Sequence, residues 1–314
     1  MATLPNFSTG TAGITKGLIT PLEGGPEIPY AILEGGQQGG PVLLVTAGVH
    51  GSEVSSIEAA LRLMRLDVEG LHGTLIVLPV VNITGYRSRS IYIMPEDGKN
   101  LNRQFPGRAD GSASQRLAFW ISAAFPKCDA YLDLHGGDLD EDLNPFVICN
   151  SDSKCSRELA VALGFETIVA THAARRTASA AAGQLGIPAL TLEVGHNGIW
   201  SEDTVAMHFD GVLRAMAHLG MLKFKLMPAA APCSQPKFVK LSVPIAPVDG
   251  FWYPRIAVGS QITAGDTLGE IRDAFNNVQA TCTSDATGEI LYLLTSLCVN
   301  AGDQLLGIAY PEPA

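Results

Sequence analysis

Four short apolar runs, "PVLLVTA" (41–47), "TLIVLPVV" (74–81), "AYLDL" (130–134) and "PALTLEV" (188–194), constrain this chain more than any other feature. Each is nearly continuous in apolar residues, and stretches of helical period such as "SSIEAALRLMRL" (55–66) and "SASQRLAFWISAAF" (112–125) lie between several of them. A strand that is apolar on both sides must be buried on both faces, which a mostly parallel sheet covered by helices provides. The expected fold class is α/β, with a mostly parallel (mixed) sheet flanked by helices. Ahead of the first run, "ITKGLIT" and "PYAILE" read as two further strands around the turn-rich "PLEGGPEI".

At 314 residues the chain has room for one large domain and a smaller one. The Pro- and Ala-rich "LMPAAAPCSQPKF" (226–238) reads as a linker, dividing residues 1–230 from 237–314. Beyond it no helical pattern appears, and two segments resemble each other: Gly250 aligns with Gly288, and Ala264-Gly265-Asp266 with Ala301-Gly302-Asp303. Such a repeat predicts a small, pseudo-symmetric, all-β module. Its expected part is to shape access to the site or to support contacts between copies in a homo-oligomer.

A net charge of −10 with no clustered Lys and Arg argues against a nucleic-acid partner. The six cysteines show no CxxC pairing and read as reduced, mostly buried residues. The start lacks a basic segment followed by an apolar one, and no run of about 18 apolar residues occurs, so a cytoplasmic protein without a membrane partner is expected.

In an open parallel sheet, ligands gather beyond the carboxyl ends of the strands. The first run ends in "GVHGSE" with His50 and Glu53, the second in Asn82, Arg87 and Arg89, the third in "DLHGGD" with His135, and the fourth in Glu193. Two histidines and a carboxylate with one open position form a catalytic zinc set, and a further carboxylate can serve as the base for a water held there. The turn around Gly48 and Gly51 would bring His50 and Glu53 together. His72, His172, His196, His208 and His218 have no second feature beside them and read as structural or surface residues.

"GVHGSE", "KNLNRQFPG", "DLHGGD" and "ALTLEVG", in this order and spacing over about residues 15–225, resemble the succinylglutamate desuccinylase/aspartoacylase family, relatives of the zinc carboxypeptidases. The resemblance implies one zinc ion held by His50, Glu53 and His135, a substrate carboxylate held by Asn102 and Arg103, and Glu193 as general base and later acid. It implies an arginine that stabilises the oxyanion, with Arg89 preferred over Arg87, and offers only Arg175 and Arg176 as a second substrate-binding arginine. The implied activity is hydrolysis of a small N-acyl amino acid. The alternative is a metallocarboxypeptidase acting on short peptides. The tail resembles biotinyl and lipoyl modules, but its hairpin "GEIRDAFNNV" has no lysine for attachment. Finally, Asp138, Asp140, Glu141 and Asp142 follow the third ligand directly. Either they form a solvated loop, or one or two of them, Asp138 or Asp140 first, meet a cationic group on the substrate.

Overall fold

In the computed structural model, which describes residues 11–36, 39–172, 176–222 and 232–312, the four apolar runs become four consecutive strands of one sheet. Two antiparallel strands, β1 (Gly13–Ile19) and β2 (Ile28–Glu34), open the chain, as their turn-flanked patterns predict. The first run forms β3 (Val42–Ala47), followed by α1 (Val54–Leu63), and the second forms β4 (Thr74–Leu78), followed by α2 (Ile83–Ser88). A two-stranded ribbon, β5 (Ile93–Met94) with β6 (Lys99–Asn100), leads into the short turn Leu101–Arg103 and then α3 (Ala113–Ser122). The third run forms β7 (Ala130–His135). After it come β8 (Glu141–Leu143), β9 (Phe146–Asn150), α4 (Lys154–Ala162), β10 (Thr167–Thr171) and α5 (Ala178–Gln184). The fourth run forms β11 (Ala189–Glu193), with α6 (Glu202–His218) behind it.

The central order is β4-β3-β7-β11, all parallel, with β2 antiparallel on one flank and β9 antiparallel on the other. Alternate residues divide between two cores, because side chains point to opposite faces along a strand. Leu43, Val45, Leu75, Val77, Leu132, Leu134, Leu190 and Leu192 pack on the side of α1, α4 and α6. Leu44, Ile76, Leu78 and Tyr131 pack on the side of α3 and α5. Both faces are covered, which is why these strands lack polar alternation.

Beyond the expected linker the chain is all strand. In order come β12 (Lys237–Ser242), β13 (Gly250–Pro254), β14 (Gln261–Ile262), β15 (Thr267–Arg272), β16 (Val278–Thr283), β17 (Gly288–Leu294), β18 (Cys298–Val299) and β19 (Leu306–Pro311). The pseudo-symmetry is visible in its turns. Gly265 and Gly302 both take positive φ, and Asp266 and Asp303 each accept a hydrogen bond from the main chain three residues earlier, at Thr263 and Asn300.

Residues 226–231 of the linker stretch lie outside the described residues. The main sheet nevertheless crosses the expected boundary. β12 runs parallel to β10, and β19, β17 and β14 continue the sheet, while β8, inserted just after the third ligand, pairs with β17. The remaining tail strands form a separate four-stranded sheet, β16-β15-β13-β18. Among the described residues, no helix is long and apolar enough to cross a membrane.

Candidate active site

The parallel register sets the site. His135 ends β7 and Glu193 ends β11, and the two are direct neighbours across the ladder, as are Asp133 with Thr191 on those strands and Thr46 of β3 with Asp133. The period of two sends Asp133, His135, Thr191 and Glu193 to the face opposite the leucines between them. The chain leaves β3 through Gly48, whose φ of +63° favours glycine, and turns so that His50 and Glu53 face the same point. Gly51 is small for another reason: a β-carbon there would overlap the main chain of Gly85 and Tyr86 in α2.

His50, Glu53 and His135 are all buried, and their ligand atoms lie within 4.8 Å of one another. His50 Nδ1 is 2.6 Å from Glu53 Oε1, and His135 Nδ1 is 2.8 Å from Glu53 Oε2. A tetrahedral ion about 2.0–2.1 Å from its donors spaces them roughly 3.3 Å apart, so these atoms need only small adjustments to close on a metal. The outer nitrogens are already engaged: His135 Nε2 donates to Asp133 Oδ2 at 2.9 Å, and His50 Nε2 to Asn100 Oδ1 at 3.2 Å. With a cation in place, that pattern would leave both Nδ1 atoms as lone-pair donors, the state in which histidine binds a metal. Asp133 is itself oriented by Thr46 Oγ1 at 2.6 Å, which accepts from the Tyr131 hydroxyl at 2.6 Å. Burial alone would raise the Glu53 carboxyl, but the charges of His135 and His50 and their hydrogen bonds hold it down at about 2. The donor set is thus ionised, convergent and suited to a divalent cation.

Glu193 lines the same cavity, of about 920 Å³, together with His50, Glu53 and His135. Burial pushes its carboxyl well above the usual range, against the opposing charge of His135, and Glu53 and Glu141 add to the shift. A cation at the cluster would favour the ionised form that a base requires. Asn102 is held by accepting from the Ala178 main-chain N–H at 2.9 Å, which ties the start of α5 to the site. Arg103 and Arg176 line the cavity and are exposed, and Arg103 Nη1 donates to the Asn102 carbonyl at 2.8 Å. Arg175 lies outside the described residues.

Arg89 is not brought to this group. Arg89, expected to face the reacting carbonyl, is here the left-handed cap of α2 and is exposed. The main-chain N–H groups of Arg89 and Ser90 close the helix end on Tyr86 and Gly85. Neither it nor Arg87 lines the cavity. Tyr92 does, with its ring edge-on to His50 at 5.0 Å between centroids.

The acids after His135 divide by role. Asp138 is fully buried and accepts from the main-chain N–H of Tyr92 at 3.1 Å, so it is neither solvated nor free for a substrate. Asp140 and Glu141 line the cavity. Asp142 contributes a half-exposed carboxylate 3.9 Å from His196. Asp133 and Tyr92 are thus site residues without an assigned part in the sequence reading. Only Asp133 had a readable signal, since it stands two positions before His135 in "DLH" and must share its face.

The catalytic-domain model of the succinylglutamate desuccinylase/aspartoacylase family matches residues 39–219, which spans every residue of the cluster. The chain belongs to this family. Among curated proteins it is 27% identical over 264 residues to an N-alpha-acetyl-L-2,4-diaminobutyric acid deacetylase of Halomonas elongata, covering 78% of this chain and 74% of that one. A succinylglutamate desuccinylase/aspartoacylase structure from Rhodobacter sphaeroides superposes with a TM-score of 0.85 at 25% identity, covering 99% of both chains. The product-bound ectoine utilization protein EutE of Ruegeria pomeroyi superposes with a TM-score of 0.83 at 21% identity, covering 95% of each chain. Family membership places the chain among deacylase-type hydrolases acting on amides. These two superpositions run through the C-terminal strands as well as the catalytic part.

Proposed function

We propose that this family member is a zinc-dependent deacylase that frees the amine of a small N-acyl amino acid. The observation that carries the reading is the convergence of His50, Glu53 and His135, with Glu193 beside His135 in the ladder and open to the same cavity. Zinc suits two imidazoles and one carboxylate, and when bound it supplies a Lewis acid that acidifies water and polarises an acyl carbonyl. Glu193 takes the proton of the attacking water and passes it to the leaving amine nitrogen. Asp133 keeps His135 in the required tautomer. Arg103, a planar two-pronged donor, suits the α-carboxylate of the amino acid, with Arg176 at the same cavity wall.

The substrate we assign carries a second amine. Asp140 and Glu141 give the cavity a wall of carboxyl groups that can pair with a substrate ammonium, and the Halomonas relative bears the name of a diamino-acid deacetylase. Opposite charges at the two ends of the substrate orient the amide between them and disfavour dicarboxylic substrates.

The test is metal content together with hydrolysis of N-acetyl, N-succinyl and N-formyl amino acids. Glu193→Gln should keep one zinc per chain and lose at least 100-fold in kcat, since an amide cannot accept the proton. His135→Ala should lose the metal. Full zinc in His135→Ala, or near wild-type kcat in Glu193→Gln, would overturn the corresponding role. The kcat/KM for Nα-acetyl-2,4-diaminobutyrate should exceed that for N-acetylaspartate, and Glu141→Gln should narrow the gap. The reverse preference would remove the diamino-acid assignment.

A further inference from the structure

Among the described residues, Arg87 and Arg89 do not line the cavity, which leaves open which group donates to the acyl oxygen where negative charge develops. We infer that the hydroxyl of Tyr92 is that donor, so that Tyr92 acts as a catalytic residue of the hydrolysis proposed above, on which this inference rests.

Three observations carry it. First, the placement: the Tyr92 ring stands edge-on to His50, which stands edge-on to His135 at 4.8 Å between centroids, and Tyr92 lines the cavity that the cluster opens into. Its side chain therefore packs directly against the His50–Glu53–His135 cluster.

Second, the backbone at Tyr92 is held in a conformation that few side chains adopt. Its φ is +59°, and the Ile93 N–H donates to the Ile91 carbonyl at 2.7 Å, making a tight three-residue turn with Tyr92 at its apex. Such turns are rare and strained at a non-glycine residue, so they persist only where surroundings enforce them. Here the enforcement is visible. The buried carboxylate of Asp138 accepts the Tyr92 N–H, while Ser90 Oγ at 2.8 Å and Asn82 Nδ2 at 3.3 Å both donate to the Ile93 carbonyl. Glycine would meet the backbone demand with less strain, so tyrosine at the apex points to work for the side chain.

Third, the hydroxyl is loosely committed. It donates to Glu141 Oε2 at 3.4 Å, a long bond that a substrate oxygen can replace. A phenolic hydroxyl keeps its proton at neutral pH and can therefore donate. On substrate binding, the O–H turns from Glu141 to the acyl oxygen while Glu141 meets the substrate amine. One contact is exchanged for two.

The experiment compares Tyr92→Phe with Arg89→Gln in the zinc-loaded full-length protein. For Tyr92→Phe, kcat should fall about 100-fold with KM within roughly threefold of wild type, the mark of a donor used mainly in the transition state. Zinc stoichiometry and melting temperature should match wild type. The affinity for a tetrahedral phosphonamidate analogue of the N-acetyl substrate, measured by calorimetry, should drop by a similar factor, while affinity for the free amino-acid product holds. Arg89→Gln should change none of these. A Tyr92→Phe enzyme with kcat within twofold of wild type, a rise in KM alone, or loss of zinc or of the fold would overturn the inference. So would a collapse of kcat in Arg89→Gln. Wild-type protein inactive on every N-acyl amino acid would instead sink the reading of the whole site.

Discussion

Glu141 shows how much a single residue here depends on its surroundings. Burial, and then the negative charges of Glu53 and Asp138, push its carboxyl up to about 8, against roughly 4.3 in an unfolded chain. The folded state therefore holds this proton more tightly than the unfolded state does. That contribution to stability is fully present below about pH 4.3 and is lost progressively as the pH rises to 8. Glutamine keeps the shape and never ionises. In metal-free protein, Glu141→Gln should melt with wild type near pH 4, melt increasingly higher than wild type from pH 5 to 8, and keep a constant lead above that. Thermal melts across this range give the answer, and a lead that shrinks toward pH 8 would contradict the assignment. None of this was legible in "DLDEDL", where the charge run read equally well as a solvated loop. Which of the acids is buried depends on β8 pairing with β17, about 150 residues later.

At the scale of elements, the strands and main helices could be read because their patterns are local. Continuous apolar runs became β3, β4, β7 and β11, and the ends of parallel strands located His50, Glu53, His135 and Glu193 at one rim. The exposed position of Arg89 was not legible, because its direction depends on a left-handed helix cap, which a short "YRSRS" segment does not announce. The same α2 gives Gly51 its role. With no room for a β-carbon against Gly85 and Tyr86, Gly51→Ala must push α2 away from the turn that carries His50 and Glu53. We expect a loss of about 3 kcal/mol in urea unfolding, the upper part of the range for overpacked sites. Zinc affinity should fall with it, because the turn and the ligands move together. A Gly51→Ala protein with wild-type stability and metal content would show that the close approach can relax at little cost.

At the scale of the molecule, the change of composition near residue 230 suggested two bodies, yet the hydrogen-bonded ladder continues from β10 into β12 and β19. A buried cluster sits on that junction, with Leu143, Phe146 and Val169 from one side packed against Val239, Leu291 and Ala309 from the other. The cavity is shared as well, since Tyr292, Leu294 and Gln304 of the tail line it with Glu193. Shared core and shared ladder are the conditions for one cooperative unit, because neither part can unfold without exposing the other's apolar surface. Trp120 and Trp252 are both fully buried, one on each side, and provide separate reporters. In each variant that keeps one of them as its only tryptophan, with Trp200 replaced, fluorescence and far-UV circular dichroism should change in urea at the same midpoint and with the same slope. Leu291→Ala opens a cavity at the junction and should lower both midpoints together, by about 3 kcal/mol in stability. If the two tryptophans reported separate transitions, or if Leu291→Ala moved only the Trp252 signal, the tail would be an independent domain resting on the catalytic part. Its residues in the cavity would then be free to move away from the substrate.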